Sequence, residues 1–333
     1  MDFDRALFQR PKLRSGVAFA SVNGVIEVEY RSQGCAIQLA DISSDYVFKF
    51  LKELKNGSES INNLKNNYHL FGGSFDSMLM ELDSLGLLEE AETEVDDIGG
   101  VLSGVDFYYS RLLPAINRVQ SKLGDSPLYT RMKGGTVTKN ELIGFALEYY
   151  HLVRLAPGLI GPSLSHCSNG EIRALLLKLF VEEYDHDKMM AACLGAVGID
   201  ESDLVKRQPL ASSFAAYASL GVYARQHIFS FFSALMLFET PSNDFNNALV
   251  IACKNLDVTE GFYRPLVKHS DINEEEEHGL ITLRLFEHVP VISQEEQNTI
   301  LIHTTALVEM LFKQDRDIVD YYSRQGCDLL RVF

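Results

Sequence analysis

Four segments of the chain set carboxylates and imidazoles among apolar neighbours at spacings that could hold a metal. FALEYYHLVR places Glu148 and His151 three residues apart, and LFVEEYDHDKMM does the same for Glu183 and His186. SFFSALMLFE is strongly apolar and ends at Glu239, and VKHSDINEEEEHG carries His269, Asp271, Glu275 and His278. Residues three or four apart share a helix face, so each Glu-x-x-His aims a carboxylate and an imidazole at one spot. Asp271, Glu275 and His278 follow at intervals of four and three and would share a face as well. Carboxylate-rich helix bundles with Glu-x-x-His pairs hold two iron or manganese ions in this way. Iron(II) takes mixed oxygen and imidazole donors, and open positions on it admit O2. A plainer reading stands beside each pair. Glu183 and His186 lie among Glu182, Asp185 and Asp187, as on a solvated acidic face, and Glu239 could be emerging into water before Pro241. The run Glu274–Glu277 must be partly solvated in any case.

The elements that must position these groups are helical. From residue 105 the apolar spacing predicts helices near 105–123, 138–157, 169–195, 211–238, 243–256, 259–288 and 294–327, with stops at Pro157-Gly158, Gly198, Pro241 and Pro290. Leu175–Phe180 and Ile228–Phe238 are apolar on more than one face, as in the interior of a bundle. Before residue 92 the pattern differs. Val17–Val22 and Val25–Arg31 alternate and meet at Asn23-Gly24, a hairpin turn signal, and Cys35–Leu39 reads as a third strand. Helical spacing follows over Tyr46–Leu54, Ser58–Tyr68 and Ser74–Leu85. A small sheet with three helices is winged-helix-like. The expected division is therefore a small α+β domain over 1–92, a linker over 93–104 and a helical bundle over 105–333.

Composition excludes several classes. The 333 residues are 46% hydrophobic and 23% charged, an ordinary globular balance, with a net charge of −16. Nine basic residues face fifteen acidic ones through Glu94, which argues against nucleic-acid binding and for a peptide added to the sheet edge. No apolar run reaches the roughly 20 residues of a membrane span, and MDFDRALFQR lacks the pattern of a secretory signal. The five cysteines are scattered, with no Cys-x-x-Cys, so a reducing cytoplasm is expected. Phosphate-binding glycine loops and a Gly-x-Ser-x-Gly elbow are absent.

Residues 105–333 resemble the haem-oxygenase-like superfamily, which includes pyrroloquinoline-quinone synthase, the thiaminase-II group and the haem-oxygenase-like di-iron oxidases and oxygenases. The resemblance is carried by FALEYYHLVRLAP, by EEYDH with LGAVGID, by ALMLFE and by the acidic-histidine segment ending EHG. It implies a seven-helix bundle and a di-iron centre whose ligands are a carboxylate and a histidine, a later glutamate, and a His-x-x-x-Asp-x-x-His motif. Carried over by position, these are Glu183 and His186, then Glu239, then Asp271, Glu275 and His278. Aspartate and glutamate thus replace histidine and aspartate, and His269 is available as the missing imidazole. Glu148 and His151 stand as supporting or substitute ligands and, with Tyr184, as catalytic candidates. Tyr149, Tyr150 and Arg154 are candidates to line the pocket.

Residues 1–92 resemble leader-peptide-recognition domains of ribosomal peptide pathways. The combined expectation is an O2-using oxidoreductase with two iron ions, or manganese. Its substrate would be a leader-bearing peptide or a small amine or amino acid in natural-product biosynthesis. No nucleic-acid or membrane partner is expected, and a homodimer is possible. A cofactorless oxidase and a non-catalytic scaffold of a peptide-modifying complex are the alternatives.

Overall fold

The computed structural model describes Phe8 and residues 10–30, 33–37, 42–91 and 100–331. The chain forms two compact units. One comprises residues 1–98 with 113–122, and the other comprises 99–112 with 123–333.

The first unit is a small α+β fold. Strands β1 (Pro11–Leu13), β2 (Ala18–Val22), β3 (Val25–Tyr30) and β4 (Gln33–Ile37) precede helices α1 (Ser44–Asn56), α2 (Ile61–Asn67) and α3 (Ser74–Ser84), and β5 (Leu88–Glu90) follows. β2-β3-β4 is an antiparallel sheet, and β1 pairs antiparallel with β5. Asn23 and Gly24 both take positive φ, 51° and 84°, as a two-residue turn between twisted strands requires. α1 starts where the Ser43 hydroxyl accepts the Tyr46 N–H and stops at left-handed Gly57. Between these caps Val47, Phe50, Leu51 and Leu54 face the core, meeting Ile26, Val28, Leu79 and Leu82. The strands β1 and β5 did not show in the sequence pattern because three residues are too few for alternation to register.

The chain continues through α4 (Gly104–Phe107), a π-helical turn (Tyr108–Leu112) and α5 (Leu113–Leu123). The expected linker over 93–104 lies outside the described residues as far as 99. The expected helix over 105–123 is helical throughout, and the boundary between the two units falls within it at Leu113. α5 neutralises Asp83, a nearly fully buried carboxylate. Arg118 Nη2 lies 2.9 Å from Asp83 Oδ1, and Lys122 Nζ lies 3.3 Å from Oδ2.

The second unit is a bundle of helices. After the short α6 (Pro127–Lys133) come α7 (Lys139–His166), α8 (Gly170–Glu182), α9 (His186–Gly195) and α10 (Glu201–Leu204). Then follow α11 (Ala211–Gln226), α12 (Ile228–Glu239), α13 (Asn243–Asn255), α14 (Glu260–Glu275), α15 (Ile281–Glu287) and α16 (Gln294–Tyr322). No helix among the described residues is long and apolar enough to cross a membrane. α7 and α16 both begin at capping boxes, Thr138/Glu141 and Ser293/Glu296. α7 passes through Pro157, where the sequence predicted a stop, and on through Pro162. Each proline costs one backbone hydrogen bond, and the helix continues past both, burying Ile160 and Ser163. α7 and α16 approach closely at Gly144, where a Cβ would fall 2.2 Å from the Tyr322 ring.

Three expected long helices are broken. The 169–195 helix stops after Glu182 and resumes at His186, with Asp185 left-handed at φ 74°. The 211–238 helix breaks at His227, whose Nδ1 accepts the Ser230 N–H and so caps α12. The 259–288 helix ends at Glu275, and left-handed Glu277 (φ 56°) redirects the chain into a 3-10 turn, His278–Leu280.

Candidate metal centre

The helix breaks decide which residues meet. Glu183 is the C-cap of α8, and His186 is the first residue of α9. The sharp turn between them keeps Glu183 Oε2 and His186 Nδ1 3.3 Å apart. Glu239 is the last residue of α12. The Thr282 hydroxyl holds that turn, accepting from Met236 N and donating to Phe232 O. α14 buries Phe262, Leu266, His269 and Asn273, spaced four, three and four apart on one face. His269 Nε2 thereby comes to 3.9 Å from Glu183 Oε2. His278 enters from the 3-10 turn, with Nδ1 3.4 Å from Glu239 Oε2 and 3.8 Å from Glu183 Oε1.

Two groups of candidate donors result: Glu183, His186 and His269, and Glu183, Glu239 and His278. In each, one donor atom per residue lies within 4.8 Å of the others. Glu183 belongs to both. Glu183 Oε1, His186 Nδ1, His269 Nε2, His278 Nδ1 and Asn273 Oδ1 are buried without a hydrogen-bond partner. Orphaned buried polar atoms are rare because each forfeits its hydration. Their clustering, with carboxylate, imidazole and amide oxygen together, fits a divalent metal ion with mixed oxygen and nitrogen preference.

The electrostatics follow from burial among these partners. Burial pushes the Glu183 carboxyl up, but the rings of His186, His269 and His278 more than offset it, and the group titrates below the usual range. Glu239 is raised, first by burial and then by the Glu183 charge, with His278 opposing. Burial drives His269 down to about 4. Burial also acts on His278, but Glu239, Glu182 and Glu183 reverse it and bring the ring up to about 9.

Several expected ligands are elsewhere. Asp271 and Glu275 are exposed. Each lies two residues from a buried donor position of α14, about 200° around the helix at 3.6 residues per turn. The motif is therefore framed on His269-x-x-x-Asn273, and Asn273 was missed because an amide is not a usual ligand type. Its Nδ2 donates to Glu239 Oε2 at 3.2 Å. The spacing from His269 to Asn273 was the available signal. Glu148 is buried but engaged by Arg207, Tyr322 and the Leu210 N–H. His151 is buried outside both donor groups, and Tyr184 and Arg154 are exposed. Tyr150 is buried in the apolar core beside α9. Tyr149 does reach the centre, its hydroxyl 3.0 Å from His269 Nδ1.

Beside the donors lies a cavity of about 30 Å3. Its walls include Val153, Ile160, Leu220, Phe231 and Leu235, and Glu183, Glu239, His269 and Tyr149 also line it. That is room for about two water-sized molecules in largely apolar surroundings.

A sequence profile of iron-containing redox enzymes matches residues 143–311, which span both donor groups. The chain belongs to the iron-containing redox enzyme family. Over 217 residues this family member is 24% identical to a 4-aminobenzoate synthase of Chlamydia muridarum (strain MoPn / Nigg), covering 63% of this chain and 81% of the relative. The fold is that of a domain from Shewanella denitrificans with a heme oxygenase-like fold (TM-score 0.54, 16% identity, 64% of this chain and 90% of that one). It is also shared with a TenA homologue from Pseudomonas syringae pv. tomato (TM-score 0.53, 11% identity, 63% and 91%).

Proposed function

We propose that the chain is a di-iron, O2-using oxidase or oxygenase acting on a peptide, or on an amine or amino acid, in natural-product biosynthesis. The observation that carries this reading is Glu183, one buried carboxylate common to two donor groups. Glu183, His186 and His269 would hold one ion, and Glu183, Glu239 and His278 the other. Iron(II) held by these residues would supply electrons for the reduction of O2. Tyr149 occupies His269 Nδ1 and so leaves Nε2 as the donor atom. The largely apolar walls of the adjoining cavity would favour a small apolar molecule such as O2 beside the donors. The named product of the Chlamydia relative is an aromatic amine, which supports a nitrogen-bearing substrate.

Protein loaded anaerobically with Fe(II) and desalted should carry about two irons per chain by elemental analysis, as carboxylate-bridged helical sites do. Iron at the level of a buffer blank would sink the reading.

The first unit would receive the peptide as an added strand on β2. Among the described strands β2 pairs with β3 alone, and Ala18, Ala20, Ser21 and Val22 are exposed. Lys55 and Lys52 of α1 stand over the Phe19 and Phe48 rings, offering cationic and aromatic contacts next to β2. Substrate peptide should then slow amide hydrogen exchange over Ala18–Val22. Exchange there that ignores the peptide would remove this role.

A further inference from the structure

His278 lies five residues beyond Asn273, whereas the regular helical interval of three would put Glu276 next in the site. The left-handed Glu277 turns the chain back, and side chains on both flanks hold the corner. His278 Nε2 lies 3.0 Å from Glu182 Oε2, on the side of the ring away from Glu183 and Glu239. Glu182 is tethered by Lys178, one turn earlier on α8, at 3.1 Å. The same Lys178 Nζ lies 2.9 Å from Glu276 Oε2, so one ammonium ties the end of α8 to the end of α14. Arg284 pairs with Glu277 and closes the corner from the far side.

An imidazole offers two nitrogens, and the partner of one decides which remains free to bind a metal. We infer that Glu182 is a positioning residue for His278. It accepts the Nε2 proton, turns Nδ1 into the site, and lets a histidine beyond the helix end take the place that regular spacing gives Glu276. The inference rests on the metal-holding reading of the centre. The exposed Lys178–Glu276 pair alone would contribute little. The effective contact is the one between Glu182, whose side chain is 20% exposed, and His278 at 4%. It also places a third carboxylate, after Glu183 and Glu239, against His278.

The test uses the full chain with Glu182→Ala and Glu182→Gln, whose amide oxygen still accepts an N–H. Titration with Co(II) alone should show two equivalents bound by wild type. In Glu182→Ala one equivalent should weaken about 10–100-fold, the size expected for loss of a ligand's hydrogen-bond partner, while the other keeps its affinity. Glu182→Gln should recover most of the loss. A second readout needs no metal. The hydrogen-bonded His278 Nε2 proton should appear as a slowly exchanging, far-downfield resonance, assigned by its loss in His278→Gln. It should vanish in Glu182→Ala and persist in Glu182→Gln. A folded Glu182→Ala protein that keeps both the resonance and two wild-type Co(II) affinities overturns the inference. Wild type that shows the resonance but binds no Co(II) counts against the metal reading and leaves the orienting contact intact.

Discussion

Glu183→Ala is expected to abolish binding at both metal positions at once, while His186→Ala and Glu239→Ala each remove one ion. The asymmetry follows from membership. Glu183 stands in both donor groups, and its two oxygens are divided between them, Oε2 facing His186 and His269 and Oε1 facing His278. Deleting it leaves two imidazoles on one side and a glutamate and an imidazole on the other, too few fixed ligands for a hard divalent ion. Deleting His186 leaves Glu183, Glu239 and His278 as a complete group. Elemental analysis of Fe(II)-loaded protein checks this directly. A Glu183→Ala protein retaining one tightly bound iron would show that the two groups do not share it.

Arg207→Met is expected to destabilise the fold by about 3–5 kcal/mol, because it leaves a buried carboxylate uncompensated. Arg207 and Glu148 are fully buried, with Nη2 2.5 Å from Oε1. The Tyr322 hydroxyl and the Leu210 N–H also bond that carboxylate, at 2.8 and 2.9 Å. The double variant Glu148→Leu/Arg207→Met should regain most of the loss, since two apolar groups can replace a buried ion pair at little net cost. The defect should depend on pH. Burial pushes the Glu148 carboxyl up, but the Arg207 charge and the hydrogen bonds more than offset it, so the folded protein holds it below the usual range. A depressed folded pKa contributes stability above the unfolded value of about 4.5. That contribution is lost as pH falls through the folded value. The gap between wild type and Arg207→Met should therefore be widest near neutrality and narrow below about pH 4.5. Urea midpoints across that range measure it. A gap that does not change with pH would mean that the pair contributes through packing alone.

What the sequence disclosed and what it hid divide along helix regularity. The bundle, the small preceding sheet and the Asn23-Gly24 hairpin were legible because apolar periodicity and turn chemistry are local. Glu183, His186, Glu239, His269 and His278 were legible as ligand types among apolar neighbours. Asp271 and Glu275 misled because their spacing to His278 was measured along a continuous helix. The chain breaks at Glu276–Glu277, so face arithmetic from 271 and 275 says nothing about 278. The buried stripe Phe262, Leu266, His269 and Asn273 had the same periodicity available, but Asn273 carried no ligand signal. Glu148 and His151 looked like a ligand pair because no spacing rule reveals Arg207, fifty-nine residues further on.

Four of the five clustered donors occupy helix ends: Glu183 closes α8, His186 opens α9, Glu239 finishes α12, and His278 begins the turn after α14. His269 alone sits within a helix whose neighbours it helps to pack. Small insertions or deletions at such ends reposition a donor without rotating any core stripe. The centre can therefore change its ligands over evolutionary time while the bundle's interior stays under separate constraint.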